Sequence, residues 1–363
     1  MTTTVNNKSE VVQSGTTISI DAMGGDLGPA AIVAGIVRVA KKNKSIHFLL
    51  HGQEEQLQKL VTKRQSLKGR VTIIDSREVI KMEDKPSHVV RHGKATSMWS
   101  AIDSVRDGDA SVCVSCGNTG ALMAISMVRL RKLNGVNRPA IAILWPSSNP
   151  MGFNVMLDVG ADVRADPKDL LQYALMGVSY ARNGLGIAKP RVGLLNVGTE
   201  EHKGRSELKE AYSKIEHCQL EANFVFEGFV EGGDIPGSKV DVIVTDGFTG
   251  NVALKTAEGT ASLIGYLLRE AFRFSPLSKL ASILAFTSLN RFKMRIDPRR
   301  VNGGVFLGLN GTVVKSHGSA DATGIEAAIK LAFELSKNDF LQKVAARVAY
   351  AGAMDNDVYD DAN

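Results

Sequence analysis

The stretch that most constrains the fold runs from Val240 to Lys255 and reads V-D-V-I-V-T-D-G-F-T-G-N-V-A-L-K. It opens with a short apolar run rich in β-branched residues, which indicates a buried parallel strand. Gly247 and Gly250 then permit a tight turn, and after Asn251 the apolar spacing becomes helical. A strand, a glycine turn and a helix start form a ready anion site, because the first helical N–H groups have no partner within the helix. The same arrangement is also an ordinary connection in α/β proteins, so alone it leaves both interpretations open.

This pattern of apolar strand, polar glycine-rich turn and helix recurs along the chain. Further apolar runs predict strands at residues 16–20, 46–50, 71–74, 111–115, 153–157, 192–195 and 312–315. The alternation indicates an α/β fold, and 363 residues with 44% hydrophobic content allow a substantial core in one large domain or two. The turn at 116–120 resembles the one at 246–251, since each places an amide side chain and a hydroxyl beside glycine. Two such turns predict two walls of one polar pocket at the carboxyl ends of parallel strands.

Three other turns supply charged candidates. Asp21 and Asp26 flank the glycines of D-A-M-G-G-D, where the spacing of a dinucleotide fingerprint is absent and two carboxylates would repel a pyrophosphate; we interpret this turn as a pocket wall. Lys203 is the only lysine in the glycine-rich turn that begins at Asn196. Its compact charge could meet an oxyanion, and a solvated loop lysine is an equal alternative. His317 closes a further turn and fits a structural role as well as a catalytic one.

The positive charge of the chain is concentrated in one segment. Residues 262–300 carry eight Lys and Arg against two acids, a net of +6, which equals the formal charge of the whole chain. A general nucleic-acid surface is therefore not indicated. Leu277, Leu280 and Leu284 share one helical stripe in this segment, and Pro276 interrupts it. A basic helical hairpin with a broad apolar face is typical of a membrane surface or a partner helix, and a dimer-interface helix pair fits equally well.

Cysteine usage and the chain's polar start favour a reducing compartment. The chain has three cysteines, Cys113, Cys116 and Cys218. This low and odd number argues against a disulfide framework. No second CxxC or histidine pair completes a zinc site, so we expect no metal and a role for the CxxC pair as small buried hydrophobes. Residues 1–15 predict a disordered polar extension and no secretory signal. No apolar run approaches the roughly 18 residues that span a bilayer, so we expect a cytosolic protein, with peripheral membrane contact left open.

Seven ordered segments carry a family resemblance. They read I-D-A-M-G-G-D at 20–26, S-C-G-N-T-G-A-L at 115–122, R-P-A-I-A at 138–142, L-D-V-G-A at 157–161, L-L-N-V-G-T-E at 194–200, T-D-G-F-T-G-N-V at 245–252 and H-G-S-A-D at 317–321. Together they resemble the bacterial phosphate acyltransferases of phospholipid synthesis, with Cys116 where that family usually has alanine. The resemblance implies a three-layer α/β/α sandwich, Rossmann-like and related to the phosphotransacetylase and isocitrate/isopropylmalate dehydrogenase folds. It also implies a homodimer.

The resemblance implies transfer of a fatty acyl group from acyl carrier protein to inorganic phosphate, giving acyl phosphate for glycerol-3-phosphate acylation. No cofactor is implied. Phosphate is already partly a dianion near neutral pH and a thiolate leaves readily, so positioning and charge matter more than a nucleophilic triad. The implied partners are acyl carrier protein, phosphate, and a membrane surface or membrane-bound glycerol-3-phosphate acyltransferase. The expected location is cytoplasmic and peripherally membrane-associated. The expected domains are a phosphate acyltransferase domain at 16–345, which includes the hairpin at 262–300, and a tail at 346–363.

Residue roles are a hypothesis drawn from what this reaction requires, which is phosphate capture, alignment and donors toward the developing oxyanion. Lys203 is assigned to phosphate and transition-state charge, and Asn251 to a hydrogen bond with phosphate or the oxyanion. The turns supply the remaining substrate-binding residues, which are Asp21, Gly24, Gly25, Asp26, Gly117, Asn118, Thr119, Gly120, Asn196, Gly198, Thr199, Asp246, Gly250 and His317.

Two functions of other classes are weighed against this one. A metal-dependent NAD decarboxylating dehydrogenase would need an aspartate cluster and a Tyr–Lys pair, which cannot be placed in this chain. A non-enzymatic membrane-interaction protein built around 262–300 would not require several separate polar glycine turns. The acyl-chain preference and the surface that meets acyl carrier protein cannot be assigned from the sequence.

Overall fold

The computed structural model describes residues 15–296, 303–337 and 340–347. Within these ranges the strands are β1 Thr16–Asp21, β2 Ile46–Gly52, β3 Val71–Asp75, β4 Val112–Ser115, β5 Ala140–Pro146, β6 Phe153–Leu157, β7 Arg191–Leu195, β8 Val225–Val230, β9 Val242–Val244, β10 Gly304–Leu307 and β11 Thr312–Lys315. The helices are α1 Gly28–Lys42, α2 Glu54–Val61, α3 Pro86–His92, α4 Ser97–Arg106, α5 Thr119–Arg129, α6 Pro167–Leu185, α7 Ser206–Cys218, α8 Gly247–Arg273, α9 Pro276–Leu284, α10 Phe286–Ile296 and α11 Ala322–Ser336. Residues 340–347 are also helical.

Successive residues of the central strands point into different layers of helices. On β4, Val114 lies in a core shared with α1, α6, α7 and α11, whereas its neighbour Cys113 lies in a second core with α3, α4 and α5. On β9, Val242 joins the first core and Ile243 packs in a third core beneath α8. Because a strand alternates its side chains between the two faces of a sheet, helices cover both faces. The predicted three-layer α/β/α architecture is confirmed.

The sheet contains two parallel groups of strands that run in opposite directions. Its order is β3-β2-β1-β4-β11-β10-β5-β6-β9-β7-β8, and the antiparallel strands β10 and β5 join the two groups. The last residue of β11, Lys315, pairs with Gly304 on β10. Val305, the next residue of β10, pairs with Ala142 on β5. Ile143, the next residue of β5, pairs with Met156, one residue before the end of β6. Both groups therefore end at nearly the same level of the sheet, and their carboxyl-terminal turns face one central region.

The basic segment forms the end of α8 followed by α9 and α10. Pro276 is the first residue of α9, so the break predicted there is confirmed. Apolar side chains on these helices are strongly exposed, including Phe274 at 89%, Leu277 at 76% and Leu284 at 81%. Such exposure leaves a broad apolar surface on this segment. No helix in the described ranges is both long enough and apolar enough to cross a membrane.

The predicted domain limits fall partly outside the described residues. Of the extension predicted at 1–15, residue 15 alone is described, and of the tail predicted at 346–363 only residues 346–347 are described, where they continue a helix. Residues 297–300 of the predicted hairpin also lie outside. These limits stay predictions.

Candidate active site

A cavity of about 440 Å³ occupies the region where the two strand groups end. It is lined by the β4–α5 turn, strand β5, the turn after β6, helix α8 and the β11–α11 turn. Its polar lining residues are Thr119, Asn251, Lys255, Glu258, Lys315, Ser316 and His317. Thr119 and Asn251 come from the two turns that the sequence predicts as facing walls, and the structure brings them together in one cavity.

Three turns of the first strand group pack tightly against one another. A Cβ atom on Gly24 would stand 2.8 Å from the amide nitrogen of Gly117, and one on Gly25 would stand 2.9 Å from Cβ of Cys116. The backbone N–H of Asp26 donates to a carbonyl of the β11–α11 turn at 2.8 Å. The predicted glycines therefore serve the close approach of backbones. They are not among the described residues that line the cavity.

Asp21 is buried beneath these turns and orients them. Its Oδ1 accepts a hydrogen bond from Ser97 Oγ and its Oδ2 accepts one from Ser115 Oγ, both at 2.7 Å. Burial raises the pKa of the Asp21 carboxyl, and these hydrogen bonds oppose the rise. Ser115 Oγ in turn accepts from the N–H of Gly117 at 3.0 Å. Asp21 thus holds the turn that presents Thr119 to the cavity.

The side chain of Asn118 has a structural task. Its Oδ1 accepts from the N–H of Ala121 at 3.0 Å and caps α5. Its Nδ2 donates to carbonyls of the 82–84 loop at 2.8 and 3.0 Å. Gly120 packs against the start of α3. Thr119 is therefore the member of this turn that lines the cavity.

Two of the backbone amides that begin α8 are already hydrogen-bonded. The Asp246 side chain accepts from the N–H of Thr249 at 2.7 Å, and the N–H of Gly247 donates to the loop after β6 at 2.8 Å. A Cβ atom on Gly250 would stand 2.0 Å from a carbonyl oxygen of that same loop, so a larger residue does not fit. Among the residues of this turn, Asn251 lines the cavity. The anion-binding capacity predicted for the turn therefore rests on the Asn251 side chain.

The β7–α7 turn contributes no residue to the described lining of the cavity. Lys203 Nζ forms an ion pair with Glu200 Oε1 at 2.8 Å, and the Lys203 carbonyl accepts from Asn196 Nδ2 at 3.2 Å. A Cβ atom on Gly198 would overlap the Lys203 side chain, at 2.3 Å. Lys203, Asn196, Gly198 and Thr199 are not among the described lining residues. Their assignment to the site stays a prediction.

Lys315 is a cavity residue that the sequence analysis missed. It ends the apolar strand β11 and is only 9% exposed. Its Nζ donates to the carbonyl oxygens of Cys116, at 3.5 Å, and Ser316, and none of the described carboxylates forms an ion pair with it. Burial lowers its pKa to about 8, Lys255 adds to the lowering, and the nearby thiol and carboxyl groups oppose it. A single lysine at the end of the apolar run T-V-V-K was the available signal.

His317 lines the cavity as predicted and belongs to a small polar cluster with α8. Its Nδ1 accepts from the N–H of Ser319 at 3.2 Å, and its Nε2 lies 3.4 Å from Lys255 Nζ and 3.9 Å from Glu258 Oε2. Lys255 pairs with Glu258 at 2.8 Å. Burial and the Lys255 charge lower the pKa of His317, which keeps its ring neutral near pH 7.

Comparison with solved structures defines the class of fold. A phosphotransacetylase from Streptococcus pyogenes matches with a TM-score of 0.56 at 19% identity, covering 90% of this chain and 95% of that one. The EutD phosphotransacetylase from Staphylococcus aureus matches with a TM-score of 0.55 at 14% identity, covering 89% and 95%. At these identities the likeness shows the fold alone. The chain has the α/β/α fold of the phosphotransacetylases.

Sequence comparison narrows the class to a family. A family model described as fatty acid synthesis protein matches residues 16–343. The phosphate acyltransferase of Ruegeria sp. (strain TM1040) is 70% identical over 336 residues, which cover 93% of this chain and 90% of that relative. That of Ruegeria pomeroyi (strain ATCC 700808 / DSM 15171 / DSS-3) is 68% identical over 340 residues, covering 94% and 92%. The chain belongs to the phosphate acyltransferase family.

Proposed function

We propose that the protein transfers a fatty acyl group from the thioester of acyl carrier protein to inorganic phosphate, forming acyl phosphate for glycerol-3-phosphate acylation. Family membership supports the reaction class. The observation that carries the proposal is Lys315, a buried cation with no described carboxylate partner, which shares a cavity with Asn251 and Thr119. Its hydrogen bonds go to neutral carbonyl oxygens and it forms no ion pair with a described carboxylate, so its charge is available to an anionic substrate such as phosphate.

The residues of the cavity divide the task of the reaction. Lys315 holds the phosphate and offsets the charge that develops as a phosphate oxygen attacks the thioester carbonyl carbon. The amide of Asn251 donates to the phosphate or to the carbonyl oxyanion, and the hydroxyl of Thr119 lies on the opposite wall. The carbon–sulfur bond then breaks, and the carrier-protein thiolate leaves and takes up a proton. Donors held in place by packing need no rearrangement as charge develops.

Cys116 does not serve as an acyl acceptor in this proposal. Its thiol is buried, and burial raises the pKa to about 11, so little thiolate forms near neutral pH. Its Cβ packs against the Gly25 backbone. Phosphate therefore attacks the thioester directly, and we expect no acyl-enzyme on this cysteine.

One assay tests the reaction itself. Radiolabelled phosphate and acyl-carrier protein are incubated with the protein, and labelled acyl phosphate is extracted and counted; hydroxylamine added to the extract should release the label as phosphate. The proposal predicts labelled acyl phosphate in step with release of free carrier-protein thiol. Thiol release without labelled product would indicate a thioesterase. Reduction of NAD with a divalent metal and a hydroxy acid would instead indicate the dehydrogenase alternative.

The charge of Lys315 predicts a pH dependence. In the free enzyme its pKa is about 8, so kcat/KM for phosphate should fall as the pH rises through about 8 and the side chain becomes neutral. Bound phosphate favours the protonated form, so the corresponding fall in kcat should lie at higher pH. In Lys315→Arg the side chain stays charged, and the alkaline fall should move upward by more than a pH unit. If the alkaline fall in kcat/KM stays at the same pH in an active Lys315→Arg variant, Lys315 is not the group that causes it.

We also propose that α9 and its neighbours carry the protein to an anionic membrane surface, where a membrane-bound glycerol-3-phosphate acyltransferase uses the product, and that the protein is a cytoplasmic homodimer. Exposed leucines and the surrounding Arg and Lys residues support this role. A subunit interface on the same helices is compatible with it.

Replacing Leu280 and Leu284 with glutamine should weaken binding to anionic vesicles at least about a hundredfold. Each leucine contributes roughly 1.5–3 kcal/mol to a nonaqueous contact. Flotation and gel filtration measure the result, with the exposed polar pair Thr287→Gln and Ser288→Gln as the control. Activity on soluble carrier protein should persist. Unchanged flotation with a dimer that dissociates would assign the stripe to the subunit interface and end the membrane proposal.

A further inference from the structure

Most of the surface that lines the cavity is apolar and has no role in the proposed phosphate chemistry. Beyond the cluster around Lys315, the lining is almost entirely apolar. These residues come from β5, the turn after β6 and α8, and they are Ile141, Ile143, Leu144, Trp145, Pro146, Val159, Leu254, Ala257 and Ala261. The cavity thus has a charged cluster around Lys315 at one end, which reaches along α8 to Lys255 and Glu258, and one long apolar wall, which is an arrangement that suits an amphipathic ligand.

A gap between two groups of helices in one layer creates this wall. On one face of the sheet, α3, α4 and α5 cover the first strand group, and α8 covers the second. Ile143 lies between them on the central strand β5 and packs against both cores, yet it is only partly buried. An apolar residue at the middle of an eleven-stranded sheet is normally covered. Here it faces the cavity.

Helix α8 forms the other side of the gap with small side chains. Leu254, Ala257 and Ala261 are partly buried and face the protein body, whereas Thr256 and Thr260 are exposed. The lining on α8 extends from Asn251 to Ala261, ten residues or about 15 Å. On the face that α8 covers, the lining on β5 extends from Ile141 to Trp145, about 13 Å. The two lengths agree, so the apolar wall is a slot that starts at the Asn251 end.

We propose that this slot binds the acyl chain of the thioester substrate, and that Ala257 and Ala261 set the longest chain it accepts. The inference rests on the proposed function and adds the location of the chain. The thioester carbonyl lies at the end with Asn251 and Lys315, and the chain extends past Ala257 toward Ala261. Alanine at these two positions leaves room that leucine, one turn earlier at Leu254, does not.

Tryptophan at the two alanines should shorten the accepted chain in a graded manner. Ala261→Trp blocks the far end, so kcat/KM for palmitoyl-carrier protein should fall at least tenfold while that for the octanoyl substrate changes less than twofold. Ala257→Trp lies closer to the charged end and should also exclude the dodecanoyl substrate. Each methylene kept out of apolar contact costs about fourfold in affinity. The matched controls are Thr256→Trp and Thr260→Trp, which carry the same ring on the exposed side and should keep the wild-type chain-length profile.

The outcomes separate this inference from the proposed function. Wild-type protein that makes no acyl phosphate from any chain length overturns the function and, with it, the inference. The slot proposal alone is overturned if active tryptophan variants lose the same factor in kcat/KM for every chain length. It is also overturned if they change only the subunit assembly on gel filtration. If Ala261→Trp fails to fold, as judged by thermal melting, Ala261→Leu replaces it. Ile143→Ala, which widens the slot, should then raise the relative rate with the longest chain, and an unaltered profile in both variants overturns the proposal.

Discussion

Replacing Lys315 with methionine is expected to lower turnover at least a hundredfold while leaving the fold as stable as before, or more stable. The loss reflects one preorganised charge at the transition state, roughly 3 kcal/mol. The gain in stability comes from removing a buried cation. A pKa lowered from 10.5 to about 8 means that the folded state disfavours the charged form by about 3 kcal/mol. That cost is full below pH 8 and disappears as the pH rises toward 10.5, so the gain should be largest near neutral pH. Acyl phosphate formation and thermal melting measure the two effects.

A lysine that only supports the fold would give the opposite pair of results. Lys315→Met would then melt at a lower temperature, and its activity per folded molecule would be near that of the wild type. Lys203→Ala should be measured together with Lys315→Met, because the sequence analysis assigns phosphate binding to Lys203. Lys203 is 43% exposed in its side chain and paired with Glu200. A hundredfold loss in Lys203→Ala together with an active Lys315→Met would move the phosphate-binding charge to the β7–α7 turn.

Asn251→Ala is expected to lower turnover about a hundredfold, since the cavity loses the amide donor at the start of α8. Asn251→Asp should be worse. It keeps the shape of the side chain but replaces the donor with a carboxylate that repels phosphate. The kinetic pattern also locates the donor. Equal falls in kcat and kcat/KM would place its hydrogen bond on the oxyanion, whereas a raised KM for phosphate with kcat preserved would place it on the bound phosphate.

Val252→Ala is the control for this pair, because Val252 is the next residue of α8 and is 50% exposed. It should keep wild-type turnover. A variant at Asn251 with normal kinetics would remove the side chain from the mechanism, and equal damage in Val252→Ala would show that the helix start had been disturbed.

Much of the fold can be predicted from the sequence because each predicted strand is a short apolar run that ends in a turn. Strands β5, β8 and β10 were not predicted, and each has a physical reason. β5 is apolar nearly throughout, so its periodicity does not separate strand from helix. β8 contains Gly228 with φ +74°, and β10 has four residues next to glycine. The reversal of direction at β10 and β5 is a long-range pairing, which local pattern does not encode.

The candidate site was predictable only in part. Asn251, Thr119 and His317 were found because polar residues after strands gather where strands end. Asp21 and Asn118 were predicted to bind substrate, and neither is among the described residues that line the cavity. Their side chains instead serve buried hydrogen bonds that only the packed turns reveal. Lys315 was missed because it belongs to a strand, and its significance depends on its burial, which only the folded structure reveals.

The position of β10 and β11 in the sheet has a consequence for how the protein is made. They are the last strands in the described part of the chain, yet they insert between β4 and β5, which leave the ribosome much earlier. Chains fold largely from the amino terminus during synthesis, so a nascent chain that stops short of residue 304 holds two half-sheets with unpaired inner edges. Such edges invite pairing with other chains and favour chaperone binding. The strand that joins the half-sheets also delivers Lys315, so sheet closure and completion of the pocket are a single event of biosynthesis.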